Sequence, residues 1–541
     1  MKQRLVALGA GLLLAAACSL INSTEDLKPV EPSIDGGGTS GGTEPGEHGG
    51  DGGTANLGGS SEPVGGAGAS GGEGASTSGG AGGEGGLPPL GRDCEDSAMD
   101  CASSAPICDA TDGVCRACAS DPECEGDLGL DFCGKVGPNK GRCLECRTDD
   151  ECAAAAPVCG ITGKCRGCNA HEECHSSICA PNGQCADESV AVYVLAETGS
   201  TGMACGTRDL PCRFVHTAVS KLTPARPNLV VLETMAIIDG ESATFPSFPG
   251  MPAMRVIGNG VVLHPYTGLA SFHVPLGVSV LFEDVVLEGS TGNSQGEDAM
   301  GNPVAAIQCS GGKINVLNSV LRDNASGVIA HECDVTITGS TIQHNANPAG
   351  FGHAGVYSSC STAGCTKVLD IRRNRFIDNG VAAYSGGQAE ATYENNLFLR
   401  NGAAGYTRVI ELRSGHTRFA YNTLVENFNG CTYVGVVACD QGICDDIANI
   451  SYASFPAQMM PCYDQVWYNG SVSHSLTEIA WPGAGNKVGD PLFVDAASGN
   501  FTPGPGSPAL DGGEDMYAPE VDIDGRPRPA GSPDIGAFEA Q

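Results

Sequence analysis

The sequence predicts an all-β fold: a right-handed parallel β-helix solenoid over residues 190–541. Three observations carry this. An asparagine recurs at Asn324, Asn345, Asn379, Asn401 and Asn427, with spacings of 21, 34, 22 and 26 residues. That is about one solenoid coil each time, the 34 fitting a coil with a long insertion. Three residues before each stands an apolar side chain: Leu321, Ile342, Phe376, Phe398 and Leu424. Five before each stands Ser319, Ser340, Asn374, Asn396 or Asn422. Coils stacked about 4.8 Å apart lay like residues over like. The apolar set then forms an interior ladder. The polar sets form turn ladders, where Asn tolerates left-handed backbone and hydrogen-bonds its neighbour. A β-sandwich of short strands does not require asparagine at a coil-length period.

Composition sets the class. The 541 residues carry a formal charge of −34, which argues against nucleic acid or an anionic membrane surface as a general partner, since both are polyanions. Only 5% are aromatic, so a large Phe/Trp core is not expected. The 27 cysteines favour an oxidising compartment.

Residues 1–17 read as a signal peptide: Lys2 and Arg4, then an apolar run too short to span a bilayer. Ala15-Ala16-Ala17-Cys18 resembles the bacterial lipoprotein box, which implies cleavage and lipidation at Cys18. It departs from that pattern at Ala15, where a larger aliphatic is commoner. The alternative is cleavage after Ala15-Ala16-Ala17 and release as a secreted protein. Setting Cys18 aside leaves 26 cysteines, an even number. Ser19 after the cysteine implies, by the same resemblance, an outer-membrane lipoprotein, periplasmic or at the cell surface. Residues 18–92 hold the lipidated N-terminus and a glycine-rich linker that cannot bury enough apolar area to order itself.

Residues 93–188 form four disulfide-rich repeats of four cysteines, beginning at Cys94, Cys118, Cys146 and Cys168. An acidic residue precedes each second cysteine (Asp100, Glu123, Glu151, Glu173), and a glycine stands two before each fourth (Gly113, Gly141, Gly163, Gly183). Modules this small have no adequate apolar core and rely on covalent staples. Four cysteines allow three pairings, and the spacing does not choose among them. Zinc is the competing use of Cys115/Cys118, Cys143/Cys146 and Cys165/Cys168, but each CxxC straddles a module boundary. The array resembles short cysteine-rich repeats beside secreted bacterial adhesion and stalk domains, which implies a semi-rigid spacer.

The β-helix opens with a strand at 192–194, a loop in which Cys205 and Cys212 are candidates to pair, a helix beginning at Pro211, and a strand at 229–232. The helix places Phe214, Val215, Ala218, Val219 and Leu222 on one face. This arrangement resembles the N-terminal cap of pectin-lyase-like β-helices, which covers the open end of the stack. Strands at Met254–Ile257, 261–263, 278–282 and 285–287 supply earlier coils, and Cys309 and Cys333 lie one coil apart. The tail, 489–513 and 522–539, resembles the C-terminal signature of bacterial β-helix proteins of the choice-of-anchor Q type, and reads as a cap over the last coil. That resemblance implies an extracytoplasmic β-helix and no single activity. Asp522-x-Asp524-Gly525 raises a lone calcium ion, although the twelfth position of an EF-hand would be Pro533. No other cofactor is expected.

Many proteins of this fold cleave acidic polysaccharides, and a lyase needs an Arg or Lys base near the sugar C–H. Residues 367–418 are locally basic. Arg372, Arg375, Arg400, Arg413 and Arg418 are candidate glycan-binding residues if stacking sets them on one face. Ion pairing between neighbouring coils is the alternative use of the same arginines. Asp445-Asp446 reads as a solvated loop within an irregular Cys431–Cys462 insertion, and His353 and His416 stand alone in sequence. No catalytic residue is assigned. The preferred reading is a lipid-anchored envelope protein whose β-helix binds an envelope or extracellular polysaccharide, or a surface protein, without turnover. A lyase acting on uronate polymers and a passive spacer are the alternatives.

Overall fold

A computed structural model describes most residues from 106 to 541. Residues 1–105 lie outside the described residues, as do shorter stretches, the longest being 347–353, 403–408, 428–435 and 454–469. Cys18, the linker, Cys94, Cys101, His353, Cys431 and Cys462 fall among them.

The chain divides into two compact units, one ending at Arg147 and also holding 161–164, the other comprising 148–160 and 165–541. In the first are antiparallel hairpins Ile107–Asp109/Val114–Arg116 and Phe132–Cys133/Cys143–Leu144, the second stapled by Cys118–Cys133 and Cys124–Cys143. In the second, Cys152–Cys165, Cys168–Cys179 and Cys174–Cys185 close the later repeats. The complete pairings of the second and fourth repeats join first cysteine to third and second to fourth. The acidic residue before the second cysteine turns back on its own short 3-10 helix. Glu173 accepts the backbone N–H of Asn169 (2.7 Å), and Glu151 that of Thr148 (3.2 Å). Gly163 and Gly183 take positive φ (73° and 76°), the left-handed conformation their turns require.

From Ala191 onward the chain winds as a right-handed parallel β-helix with three sheets. Sheet A has eight strands, sheets B and C eleven each. One coil runs through Ile307–Ser310 (A), Lys313–Leu317 (B) and Val320–Arg322 (C), then enters the next at Val328–His331. The apolar row lies in register, Leu321 on Ile342, Phe376, Phe398 and Leu424, fully buried. Phe376 and Phe398 stack with centroids 4.9 Å apart. Each such side chain contributes about 1.5–3 kcal/mol by leaving water. Cys309 and Cys333 form the inter-coil disulfide that their spacing suggests, and Cys205 pairs with Cys212.

The corners depart from expectation in one respect. The recurring asparagines are not the left-handed residues. That conformation falls on the residue before each: Asp323, His344, Asp378, Arg400 and Glu426 between sheets C and A, all with φ of 51–54°. The asparagine that follows points inward and is buried. Its Oδ1 accepts from the backbone N–H and Nδ2 of the asparagine one coil earlier, as Asn401 does from Asn379 (3.0 and 2.9 Å). Its own Nδ2 donates to a carbonyl of the neighbouring coil, Asn401 to Phe376 at 2.8 Å. A second ladder of the same kind runs through Asn374, Asn396, Asn422 and Asn449 at the B–C corner.

The N-terminal helix is shorter than expected, Val215–Val219, with Phe214 at its N-cap. Pro211 does not begin it, because Cys212 is extended and its N–H donates to the Tyr193 carbonyl (2.8 Å). Val215, Ala218, Val219 and Leu222 nevertheless close the main core.

The fourth cysteine repeat packs on the outer side of sheet B. Ile178 is buried with Tyr193, Val230 and Ile257. Tyr193 Oη donates to the Ser176 carbonyl (3.0 Å). His171 lies 3.1 Å from Glu283, which also accepts from Arg255 (2.7 Å). This repeat is therefore part of the β-helix body. The tail packs on the last coils, where Ala509 and Ile535 are buried with Ile447, Ile450 and Leu476. It runs along the flank of sheet C, where Phe501, Ile523, Ala537 and Phe538 cover Leu397, Leu399 and Val425. Arg528 is buried there, 2.8 Å from Glu539, with its guanidinium 4.8 Å from the Tyr421 ring centre.

Two outcomes follow from this packing. Asn396→Ala strands the amides of Asn374 and the carbonyl of Ile371 and should lower unfolding free energy by about 2–4 kcal/mol. The outward-facing Asn315→Ala should stay within about 0.5 kcal/mol in the same denaturant titration. A chain beginning at residue 190 should aggregate on size exclusion, because Tyr193, Val230 and Ile257 lose their cover. One beginning at 167 should remain monodisperse, and equal behaviour of the two would show the repeat to be separable.

Candidate functional site

Strands alternate their side chains, so each strand of sheet A sends two residues outward. In register these form two columns along the helix axis: Gln308, Ile329, Tyr357, Tyr384, Glu411, and beside it Ser310, His331, Ser359, Gly386, Arg413. Tyr357 and Tyr384 stack with centroids 4.5 Å apart and planes 6° from parallel. His331 meets the Tyr357 ring edge-on at 5.8 Å and shares a 2.7 Å hydrogen bond with Ser359. Gly386 supplies the shelf for Tyr384, since a Cβ there would stand 2.7 Å from the phenol oxygen. Partial burial raises the Tyr384 pKa, opposed by Arg413. Arg413 and Glu411 close the row with a 2.6 Å ion pair. The arrangement offers aromatic edges, hydroxyls, an imidazole and a balanced ion pair in one line, the surface chemistry that suits a polyhydroxylated chain.

The five candidate arginines do not share a face. Arg372 and Arg418 lie on sheet B and converge on Glu394 (3.2 and 3.0 Å). Arg375 lies on sheet C and holds Asp524 (2.6 Å), Arg400 sits at a corner and grips Asp378 with two nitrogens (3.0 and 2.8 Å), and only Arg413 belongs to sheet A. The reason is geometric: a two-residue corner separates Arg372 from Arg375 and turns the chain onto another sheet. The structure thus places each of them in an ion pair. The tyrosine pair was missed because insertions on both sides of the sheet A strands break the asparagine register. Aligning those strands as a set of their own would have revealed it.

The acidic pair is not a solvated loop. Asp445 and Asp446 sit on the strand Ile443–Ile447 of sheet B. Asp445 faces out, 2.9 Å from His416. Asp446 faces in, stacked between Phe419 and Val472, and accepts from Asn449 (2.8 Å) and Ser475 (3.0 Å). Asp522 is fully buried, its Oδ1 accepting the N–H groups of Asp524 and Arg526 (2.9 and 2.8 Å) and its Oδ2 that of Glu539 (3.0 Å). Its oxygens thus serve a turn in the tail. Among the described residues, each group of three potential metal donors includes disulfide-bonded cysteines.

No protein-family model matches the chain. No curated protein matches it either. Among solved structures, the crystal structure of pectate lyase Pel9A is similar at 14% identity and a TM-score of 0.38, covering 66% of this chain and 100% of that one. The coil architecture is seen in this chain's own strand register.

Burial pushes Asp446 from its ordinary 3.8 up to about 7. The folded state therefore holds this proton more tightly than the unfolded one. The stabilisation is complete below pH 3.8 and is lost as pH rises to about 7. Asp446→Asn keeps the acceptor and removes the charge. It should stabilise the protein at pH 8 by on the order of a few kcal/mol, with little effect at pH 4, in paired denaturant titrations.

Proposed function

We propose that this protein is a lipid-anchored cell-envelope protein whose β-helix binds a polysaccharide along the outer face of sheet A, without turnover. The stacked Tyr357–Tyr384 pair, lined by His331, Ser359, Glu411 and Arg413, is the observation that carries this reading. Stacked rings present edges and hydroxyls that can hydrogen-bond sugar, and strand register sets them at a fixed pitch. A lyase alternative calls for an Arg or Lys base between residues 367 and 418. Lys367 and five of the arginines there are each engaged by a carboxylate, which disfavours them as proton-abstracting bases.

The display apparatus is proposed from the sequence: lipidation at Cys18, a glycine-rich leash and a stalk of cysteine repeats, with a tail of the choice-of-anchor Q type. The disulfides of the repeats support an oxidising compartment.

Two measurements test this. In affinity electrophoresis across a panel of polysaccharides, the protein should be retarded by at least one polymer, and Tyr384→Ala should weaken that at least tenfold. Retardation unchanged in the variant would remove sheet A as the site. In a bacterial host, labelled palmitate should enter the wild-type protein and not Cys18→Ser. Equal labelling would refute the anchor.

A further inference from the structure

We infer that the ligand of the sheet A face is an uncharged polysaccharide lying parallel to the β-helix axis across successive coils. This deepens the glycan-binding reading and rests on it.

The charge on the face decides the class. From Gln308 to Arg413 the two outward columns contain one carboxylate and one guanidinium, and these pair at 2.6 Å. The other outward side chains are hydroxyls, an amide, Ile329 and the imidazole of His331. Partial loss of solvent lowers the His331 pKa, which favours the neutral ring. A polymer of uronic acids would need cations here beyond the paired Arg413, and the described residues of the two columns supply none. It would also approach a chain carrying −34, whose field repels polyanions. The arginines that might have served such a ligand are held by Glu394, Asp524 and Asp378 on other faces. An uncharged chain meets none of these penalties. It gains hydrogen bonds to phenol, hydroxyl and imidazole, and contact with the ring edges.

Register decides the direction. The groups from His331 to Glu411 and Arg413 come from four consecutive coils, one step each, so they span about 14 Å along the axis. A ligand crossing the coils at right angles would touch a single step. One running along the axis touches all four. Affinity should therefore rise with oligomer length until that span is filled, and a monosaccharide should not compete.

The test uses the full chain in gels holding either uncharged polymers (a β-glucan, a galactomannan, a xylan without uronate) or uronate polymers (polygalacturonate, alginate), at low and high salt. The expected result is retardation by an uncharged polymer. It should be unchanged at high salt, at least tenfold weaker in Tyr384→Ala and Tyr357→Ala, and competed by oligosaccharides but not by the monosaccharide. Glu411→Gln, which removes the carboxylate facing Arg413 and leaves both tyrosines in place, should add weak, salt-sensitive retardation by polygalacturonate. Retardation by uronate polymers alone, lost with salt and with Tyr384→Ala, would overturn the uncharged-ligand inference and leave the glycan-binding reading standing. Retardation by no polymer, with circular dichroism showing a folded protein, would overturn that reading and the inference with it.

Discussion

The structure depends on how a coil turns its corners. Each B–C corner turns the chain within two residues, each C–A connection leaves sheet C through a left-handed residue and an asparagine, and the amides on the inside of these turns face a lumen packed with Leu, Ile and Phe. An amide left without a partner there costs about 1–3 kcal/mol. The asparagine ladders remove that cost by making each coil the hydrogen-bond partner of the next. They also permit the left-handed residues, which cost roughly 1–2 kcal/mol each outside glycine. Asp323, His344, Asp378, Arg400 and Glu426 all adopt this conformation although none is glycine. Their side chains point to solvent, and two of them, Asp378 and Arg400, pair with each other.

That division of labour explains what was legible in the sequence. The inward corner position has one chemical solution, an amide that donates and accepts at once, so asparagine repeats and the coil period can be read. The left-handed position has no single solution, because its side chain is outside, and it was assigned to the wrong residue. The interior row of Leu321, Ile342, Phe376, Phe398 and Leu424 was legible for the same reason as the asparagines: a buried site tolerates few side chains. Outward positions tolerate many, so neither the tyrosine pair on sheet A nor the scattering of the arginines over three sheets could be read from spacing.

The inward Asp446 is the exception that shows the rule. By position it belongs to the apolar interior, between Phe419 and Val472, and its sequence neighbour Asp445 made both look solvated. It is tolerated because Asn449 and Ser475, members of the B–C ladder, turn hydrogen-bond donors toward it. The ladder thus supplies the polar partners that a buried carboxyl requires. Burial raises the pKa to about 7, so the group can shed its charge near neutrality.

The outer faces differ in how they are used, and this locates the binding surface. A solenoid buries its inside by stacking, which leaves three long sheets facing outward. The fourth cysteine repeat covers the first strands of sheet B, where Tyr193, Val230 and Ile257 are apolar. The tail covers sheet C at Leu397, Leu399 and Val425. On sheet A, no apolar strip like these is covered by either segment among the described residues. Its outward columns keep Ser310 and His331 exposed and Tyr357 and Tyr384 half-buried. Aromatic side chains left partly open to solvent, set in register along an axis, and charge-balanced within an acidic chain, form a surface arranged for an extended partner outside the fold.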